Sequence, residues 1–322
     1  MISRVHSFVL RGIDAVACEI EVQLSDAEKP AQAIVGLPDA AVRESIRRVW
    51  AAIYNSGFPI PRAFATINLA PANVRKEGPV YDLPIALGVL QSGRTIRPPS
   101  GNGIPAVEDY LIAGEVALDG RLRPIRGVIS LAQLAETQGK RGVIVPAANA
   151  DEAAVVDGIE VLGATTLDEV VAMFNGNGVI EPHPPVDIES LTDVARPDVD
   201  FADVRGQEAA KRAITVAAAG GHNVLMIGPA GTGKTMMAKA LPGILPPLSR
   251  AEAVEVTRIY SCAGQLGARG LIKAVRPVRA PHHTASAAAI IGGGTVPRPG
   301  DVSLAHRGVL FLDELPEFAR NV

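Results

Sequence analysis

The chain has 322 residues, enough for two domains of ordinary size, and its 48% hydrophobic and 20% charged content excludes a disordered protein. The net charge is −3, no apolar run reaches the roughly 18 to 20 residues of a membrane helix, and the start lacks a signal-peptide pattern. Two distant cysteines, Cys18 and Cys262, provide neither a disulfide framework nor a zinc site, so we expect a cytoplasmic protein with no membrane contact.

Strands and helices alternate along the first 175 residues. Apolar patterning predicts strands over 7–12, 16–24, 32–38 and 63–71 and helices over 39–54 and 81–91. Asp39 and Asp82 are the candidate N-caps of these helices. A hairpin turning at Asp119 and Gly120 follows, and then helix, strand, helix, strand and helix up to Phe174.

A segment rich in Gly, Pro and Asp, residues 176–200, has the composition of a linker. We therefore predict one domain over 1–175 and a second over 201–322. The second domain opens with a helix over 207–219, a buried strand over 223–228 and a further helix from Lys234.

The loop between that strand and that helix has the P-loop pattern Gly-x-x-x-x-Gly-Lys-Thr. Glycines allow backbone N–H groups to approach a polyphosphate closely, and the following helix N-terminus favours negative charge. Lys234 is expected to reach the β- and γ-phosphates of ATP, and Thr235 to ligate Mg²⁺. The predicted nucleotide-binding residues are Gly228, Pro229, Ala230, Gly231, Thr232, Gly233, Lys234 and Thr235.

A second acidic element follows 78 residues after Thr235. Residues 309–314, Val-Leu-Phe-Leu-Asp-Glu, read as a buried parallel strand that ends in two acids. Ligands of open α/β sheets bind at the carboxyl ends of strands, so Asp313 is expected to hold Mg²⁺ and Glu314 to act as the catalytic general base. A helix cap is the alternative interpretation of the acid pair.

Positive charge is concentrated in the second domain. Residues 201–322 carry 14 Lys and Arg against 8 Asp and Glu, and positions 256–300 contain no acid. This basic segment is a candidate surface for anions or nucleic acid, and a solvated face with acidic neighbours from elsewhere in the fold is the alternative. Its basic residues are Arg258, Arg269, Lys273, Arg276, Arg279 and Arg298.

Residues 276–318, from Arg-Pro-Val-Arg-Ala-Pro-His-His to Leu-Pro-Glu-Phe, resemble the magnesium-chelatase branch of the AAA+ ATPases. The resemblance implies inserts that project towards the central pore of a ring. His282, His283, Arg279 and Arg298 are then substrate-side candidates, while a structural role or a metal site remains open for the two histidines. Residues 203–207 resemble the segment that covers adenine in AAA+ proteins, which implies that role for Val204 and Gly206.

The first domain resembles the proteolytic domain of Lon, through residues 73–90 and 113–135. The resemblance implies the fold of the second domain of ribosomal protein S5. The positions of Lon's serine nucleophile and lysine base are occupied by Val80 and Ile129, which cannot supply that chemistry, and a helical neighbour such as Ser130 points elsewhere. We therefore expect a binding or assembly platform without peptidase activity.

This combination resembles the ComM/YifB family over essentially the whole chain. The implied fold class is α/β: a Lon-like α+β domain followed by a P-loop AAA+ domain with a parallel sheet, incomplete at its C-terminus. The family implies a hexameric ring ATPase that uses ATP and Mg²⁺ and acts on branched DNA during natural transformation, without sequence specificity.

Two other functions compete with a DNA motor. A magnesium-chelatase-type subunit would remodel a protein partner, and an ATP-dependent chaperone or protease would act on proteins. The chain ends eight residues after Glu314, before any sensor strand, arginine finger or helical lid. We therefore expect the 322-residue chain to bind ATP weakly and to hydrolyse it poorly.

Overall fold

A computed structural model describes residues 2–27, 31–97, 103–186, 199–229, 231–266, 276–293 and 297–320. The described residues form two compact units, one up to Val186 and one from Val199 onwards. This division lies inside the predicted linker. No helix within the described ranges combines the length and the apolar character needed to cross a membrane.

A seven-stranded sheet forms the centre of the first unit. Its spatial order is β3-β4-β2-β1-β5-β8-β9; β2 pairs antiparallel with β1 and β4, and the other four pairings are parallel. A separate antiparallel hairpin, β6 with β7, contains the predicted turn. The strands are β1 (Ile2–Arg11), β2 (Asp14–Asp26), β3 (Ala31–Val35), β4 (Ala63–Ala70), β5 (Tyr110–Ile112), β6 (Glu115–Val116), β7 (Leu122–Arg123), β8 (Gly142–Pro146) and β9 (Glu160–Ala164).

Within its described residues the first unit also has five helices: α1 (Ala40–Asn55), α2 (Asp82–Ser92), α3 (Val128–Thr137), α4 (Ala150–Ala153) and α5 (Leu167–Phe174). Asp39 caps α1 as predicted, because its carboxylate accepts the Val42 N–H at 2.7 Å. Helix α2 is almost wholly buried, in keeping with its nearly unbroken apolar sequence.

Asp82 is not the N-cap of α2. It is the first helical residue, Tyr81 occupies the cap position, and the Asp82 carboxylate accepts hydrogen bonds from Arg48 on α1. The cap prediction fails because the nearby, half-buried guanidinium of Arg48 is a stronger partner for a carboxylate than a free backbone amide. The resulting ion pair joins α1 to α2.

The part of the second unit that the structure describes contains five helices and two short strand pairs. Strand β10 pairs in parallel with β13, and β11 pairs antiparallel with β12. The elements are α6 (Glu208–Gly220), α7 (Lys234–Ala240), α8 (Arg250–Ala263), β10 (Val278–Arg279), α9 (Ala287–Ile291), β11 (Gly292–Gly293), β12 (Arg298–Pro299), α10 (Asp301–Leu304) and β13 (Val309–Leu310).

The strand predicted over 223–228 is absent. These residues have no strand structure, and the side chains of Leu225 and Ile227 are 71% and 88% exposed. A strand exists through hydrogen bonds with a neighbouring strand, and apolar residues alone do not supply that partner. For the same reason β13 forms only where β10 lies beside it, so residues 309–312 are half-buried and not a fully buried strand.

Candidate functional site

The P-loop joins the segment at 223–228 to α7. Gly231 and Gly233 have φ angles of 78° and 85°, in the left-handed region that glycine adopts without steric cost, and Gly233 is the N-cap of α7. The Lys234 ammonium donates to the carbonyl oxygens of Gly228 at 2.9 Å and Pro229 at 2.8 Å. The ammonium therefore lies over the loop itself. Ala230 lies outside the described residues.

Thr235 and Asp313 meet although 78 residues separate them. The Thr235 hydroxyl donates to Asp313 Oδ2 at 2.9 Å, which places a hydroxyl and a carboxylate oxygen at one point between α7 and the end of β13. Both are hard oxygen ligands of the type that Mg²⁺ prefers. The structure thus brings together the two residues that the sequence assigned to the metal.

Glu314, the next residue, has a strained backbone and a histidine partner. Its φ angle is 54°, a left-handed conformation that costs a non-glycine residue on the order of 1–3 kcal/mol. Its backbone N–H donates to Asp313 Oδ1 at 3.1 Å, and its carboxylate Oε2 lies 3.1 Å from Nδ1 of His283. Strain of this kind persists where the surroundings fix the residue.

The parallel pairing of β10 and β13 explains why these side chains meet. Val278 is the register partner of Val309, and Arg279 that of Leu310. His283 follows Arg279 by four residues, and Glu314 follows Leu310 by four. Both segments therefore leave the carboxyl ends of neighbouring parallel strands and reach equal distances along the chain beyond them. Both residues were candidates from the sequence, but their pairing depends on the register of β10 and β13, which neither segment contains.

A pocket of about 360 Å³ lies at this edge. That volume falls within the roughly 300–1,000 Å³ that is usual for small-ligand sites. Helix α7 contributes one wall, β10 and the residues after it a second, and the end of β13 a third. The lining residues are Thr235, Ala238, Lys239, Val278, Ala280, Pro281, His282, His283, Phe311, Asp313 and Glu314.

The two adjacent histidines are held differently. His282 Nδ1 accepts the backbone N–H of Thr284 at 3.3 Å and lies 2.9 Å from the Thr284 hydroxyl. His283 Nδ1 lies 3.1 Å from Oε2 of Glu314. Within the described residues, no group of three or more His, Cys, Asp or Glu side chains is arranged so that it could hold a metal ion.

Part of the basic segment is neutralised inside the unit. Arg276 contacts Glu252 at 3.3 Å, and Arg279 contacts Asp301 at 2.6 Å. These are the acidic neighbours that the alternative interpretation required, so both arginines have a structural role. Arg298 on β12 is exposed. Arg269 and Lys273 lie outside the described residues.

Val204 belongs to a small apolar cluster with Ile214, Met237 and Ala240, of which the last two are on α7. Gly206 has a φ angle of 67° and precedes α6. The segment predicted to cover adenine therefore packs, through Val204, against the helix that follows the P-loop.

At the Lon-like dyad positions of the first unit, Val80 is half-buried and Ile129 is fully buried. The hydroxyl of the neighbouring Ser130 donates to the carbonyl of Ile13 at 2.6 Å. Lys76 is a buried lysine that the sequence analysis did not single out; its ammonium donates to the carbonyl of Pro71, and burial lowers its pKa.

Both units match known protein families. Residues 200–322 match the family described as magnesium chelatase, subunit ChlI, and residues 20–149 match subunit ChlI of Mg-chelatase. The chain is 43% identical to the YifB protein of Escherichia coli K12 over 319 residues, and 42% identical to the competence protein ComM of Haemophilus influenzae over 320 residues. Each alignment covers 99% of this chain.

The same alignments cover 60% of YifB and 61% of ComM, so the chain spans about three fifths of the length of these relatives. A partial match, 35% identical over 102 residues, relates 31% of the chain to 14% of the archaeal Lon protease of Halobacterium salinarum. These matches, with the mostly parallel sheet of the first unit, confirm the α/β fold class. The chain belongs to the magnesium-chelatase-like AAA+ family that contains ComM and YifB.

Proposed function

We propose that the second unit binds ATP with Mg²⁺ and hydrolyses the nucleotide. The observation that carries this proposal is the 2.9 Å contact between Thr235 and Asp313, because it joins a P-loop hydroxyl to an acid at the end of a parallel strand. The donor set fits a hard divalent cation, and the adjoining pocket has the volume of a small-ligand site. The AAA+ family implies nucleotide and magnesium use in general.

Each residue has a distinct part in this proposal. Bound Mg²⁺ would polarise the phosphate oxygens as a Lewis acid. Thr235 and Asp313 would hold the ion, and Lys234 would exchange its two carbonyl acceptors for phosphate oxygens. The Glu314 carboxylate would accept a proton from the attacking water. Val204 and Gly206 would lie against the adenine base of the nucleotide.

Nucleotide binding is tested with a fluorescent ATP analogue titrated with and without Mg²⁺. Lys234→Ala should abolish binding, and Glu314→Gln should bind with unchanged affinity while hydrolysis falls by about 10²-fold or more. Lys211→Ala, which alters a lysine on α6 outside the pocket, is the matched charge control for Lys234→Ala. Equal affinity of the wild type and Lys234→Ala for the ATP analogue would contradict the proposed nucleotide site.

We further propose that the chain assembles with copies of itself and acts on DNA. ComM is called a competence protein, and Arg298, on β12, is an exposed basic side chain. Phosphate contacts require only basic groups, so DNA binding should be independent of sequence and should weaken with salt.

Fluorescence anisotropy with labelled forked DNA tests this second part. We expect two forks of unrelated sequence to bind equally, and Arg298→Ala to weaken both and to lower the salt dependence. Arg307→Ala is the control, because this arginine is paired with Glu255. If the protein still binds nucleotide but does not bind forked DNA at low salt, only the proposed DNA role is rejected.

A further inference from the structure

One side of helix α1 in the first unit carries positive charge at one end and aromatic rings at the other. The helix buries a row of apolar side chains at intervals of four, three and four residues: Val42, Ile46, Val49 and Ile53. Residues at these intervals lie on one side of a helix, so the row one position further along is also continuous. This second row, which we call the α1 stripe, consists of Arg43, Arg47, Trp50 and Tyr54.

The two arginines of the α1 stripe are available to an anion. The side chains of Arg43 and Arg47 are exposed, and within the described residues neither is ion-paired with an acid, whereas the neighbouring Arg48 is paired with Asp82. Glu44 is the single acid of α1 and lies outside the stripe. One helical turn separates the two arginines by about 6 Å along the axis, which is close to the spacing of successive phosphates in an extended single strand.

The other end of the α1 stripe is apolar and open to solvent. The side chain of Tyr54 is 69% exposed, while Trp50 packs against the core and supports this part of the helix. The side-chain amide of Asn55 donates to the carbonyl of Leu118 at 2.7 Å, which holds the tip of the β6–β7 hairpin at the same end of α1. Leu118 is itself 59% exposed. An exposed ring with an apolar neighbour is a surface on which a nucleic-acid base can stack.

We propose that the α1 stripe binds single-stranded nucleic acid, with phosphates on Arg43 and Arg47 and a base stacked on Tyr54. Basic groups that follow the backbone, together with an aromatic ring that accepts any base, are the combination that holds single strands without reading their sequence. This inference rests on the proposed action on DNA and extends it to the first unit. There the Lon-like dyad positions, Val80 and Ile129, offer neither a nucleophile nor a base.

Fluorescence anisotropy with a labelled oligothymidylate of about 20 nucleotides tests the proposal, because this strand forms no duplex of its own. The variants are the double change Arg43→Ala with Arg47→Ala, which removes the charge, and Tyr54→Ala and Tyr54→Phe, which remove and retain the ring. The matched control is Arg94→Ala with Arg97→Ala, which removes two exposed arginines beyond the end of α2. Affinity for the ATP analogue and thermal unfolding are measured for every variant and should be unchanged.

We expect the double variant of the stripe to bind the oligothymidylate about tenfold more weakly at low salt. Its slope of log affinity against log salt should fall by about 1.4, since each phosphate contact on a single strand contributes about 0.7. Tyr54→Ala should weaken binding about fivefold or more, and Tyr54→Phe should bind like the wild type. Equal losses in the stripe variant and the control would overturn the proposal, and so would full affinity in Tyr54→Ala.

Photo-cross-linking locates the contact directly. An oligothymidylate that contains 5-iododeoxyuridine should cross-link to the peptide with Tyr54, and cross-links confined to the second unit would overturn the proposal. Labelled poly-glutamate that binds as tightly as the oligothymidylate, and is indifferent to Tyr54→Ala, would assign the stripe to an acidic protein instead. Forked-DNA binding that falls in Arg298→Ala but not in the stripe variants rejects the stripe alone, whereas a wild type that binds neither DNA rejects the proposed DNA role itself.

Discussion

Replacing Asp82 by alanine tests what holds α1 and α2 of the first unit together. The Asp82 carboxylate is fully buried and accepts hydrogen bonds from Arg48 Nε at 2.7 Å, Arg48 Nη2 at 3.2 Å and the Val116 N–H at 3.2 Å. Burial raises the pKa of Asp82, and the hydrogen bond with Arg48 opposes that shift. Desolvation and pairing therefore act against each other at this site.

The expected loss of stability follows from the groups that Asp82→Ala leaves behind. Breaking a buried ion pair from one side costs about 3–5 kcal/mol, and an unsatisfied buried amide costs about 1–3 kcal/mol. Since 22% of the Arg48 side chain is exposed, water replaces part of the lost anion, and we expect about 3–4 kcal/mol in total. Asp82→Asn keeps an acceptor for Val116 and should cost about 2 kcal/mol.

Urea unfolding followed by tryptophan fluorescence measures this loss. Trp50 is the single tryptophan of the chain and lies on α1, packed against the core of the first unit, so its signal reports that unit. The double variant Arg48→Met with Asp82→Leu should be near wild-type stability, because apolar residues replace a buried pair at little cost. The reasoning is refuted if Asp82→Ala lowers the free energy of unfolding by less than about 1 kcal/mol. It is also refuted if the double variant loses as much stability as the two single variants added together.

Three further predictions concern the first unit. Because burial raises the pKa of Asp82, the folded state binds the proton of this carboxyl group more tightly than the unfolded chain does. The wild type should therefore gain stability relative to Asp82→Asn as the pH falls through the folded pKa towards the unfolded value of about 3.9. Parallel curves of unfolding free energy against pH for the two proteins would contradict this. Burial raises the pKa of Cys18 to about 12, so with Cys262→Ser in place native protein should resist iodoacetamide at pH 8 until urea unfolds it; rapid native labelling would show that the thiol is accessible. A Cβ at Gly142 would lie 1.9 Å from the Glu160 carbonyl oxygen on β9, so Gly142→Ala should lower the urea midpoint in the fluorescence assay, and an unchanged midpoint would mean that the strands separate freely.

Features encoded by neighbouring residues were predictable from the sequence. The Asp39 cap depends on a residue three positions away, and the hairpin at Asp119 and Gly120 on a two-residue turn signal, and both are found as predicted. The P-loop pattern also places Lys234 at the start of a helix, as observed.

Features that depend on distant partners were not predictable from local pattern. Residues 223–228 have strand-like composition, but strand formation requires a neighbour that composition does not identify. Asp82 was assigned to a cap because Arg48, 34 positions away, was not known to be adjacent. The pairing of His283 with Glu314 likewise required the register of β10 and β13, which no single segment contains.

The β10–β13 ladder bears on the timing of the proposed hydrolysis. It is only two residues long on each strand, and ladders this short open at low free-energy cost compared with a buried core. One opening event would separate the turn that carries His282 and His283 from Asp313 and Glu314, and would open one wall of the pocket. A ligand or a neighbouring copy that stiffened these two strands would therefore change the rate of the proposed hydrolysis without contacting a reacting atom.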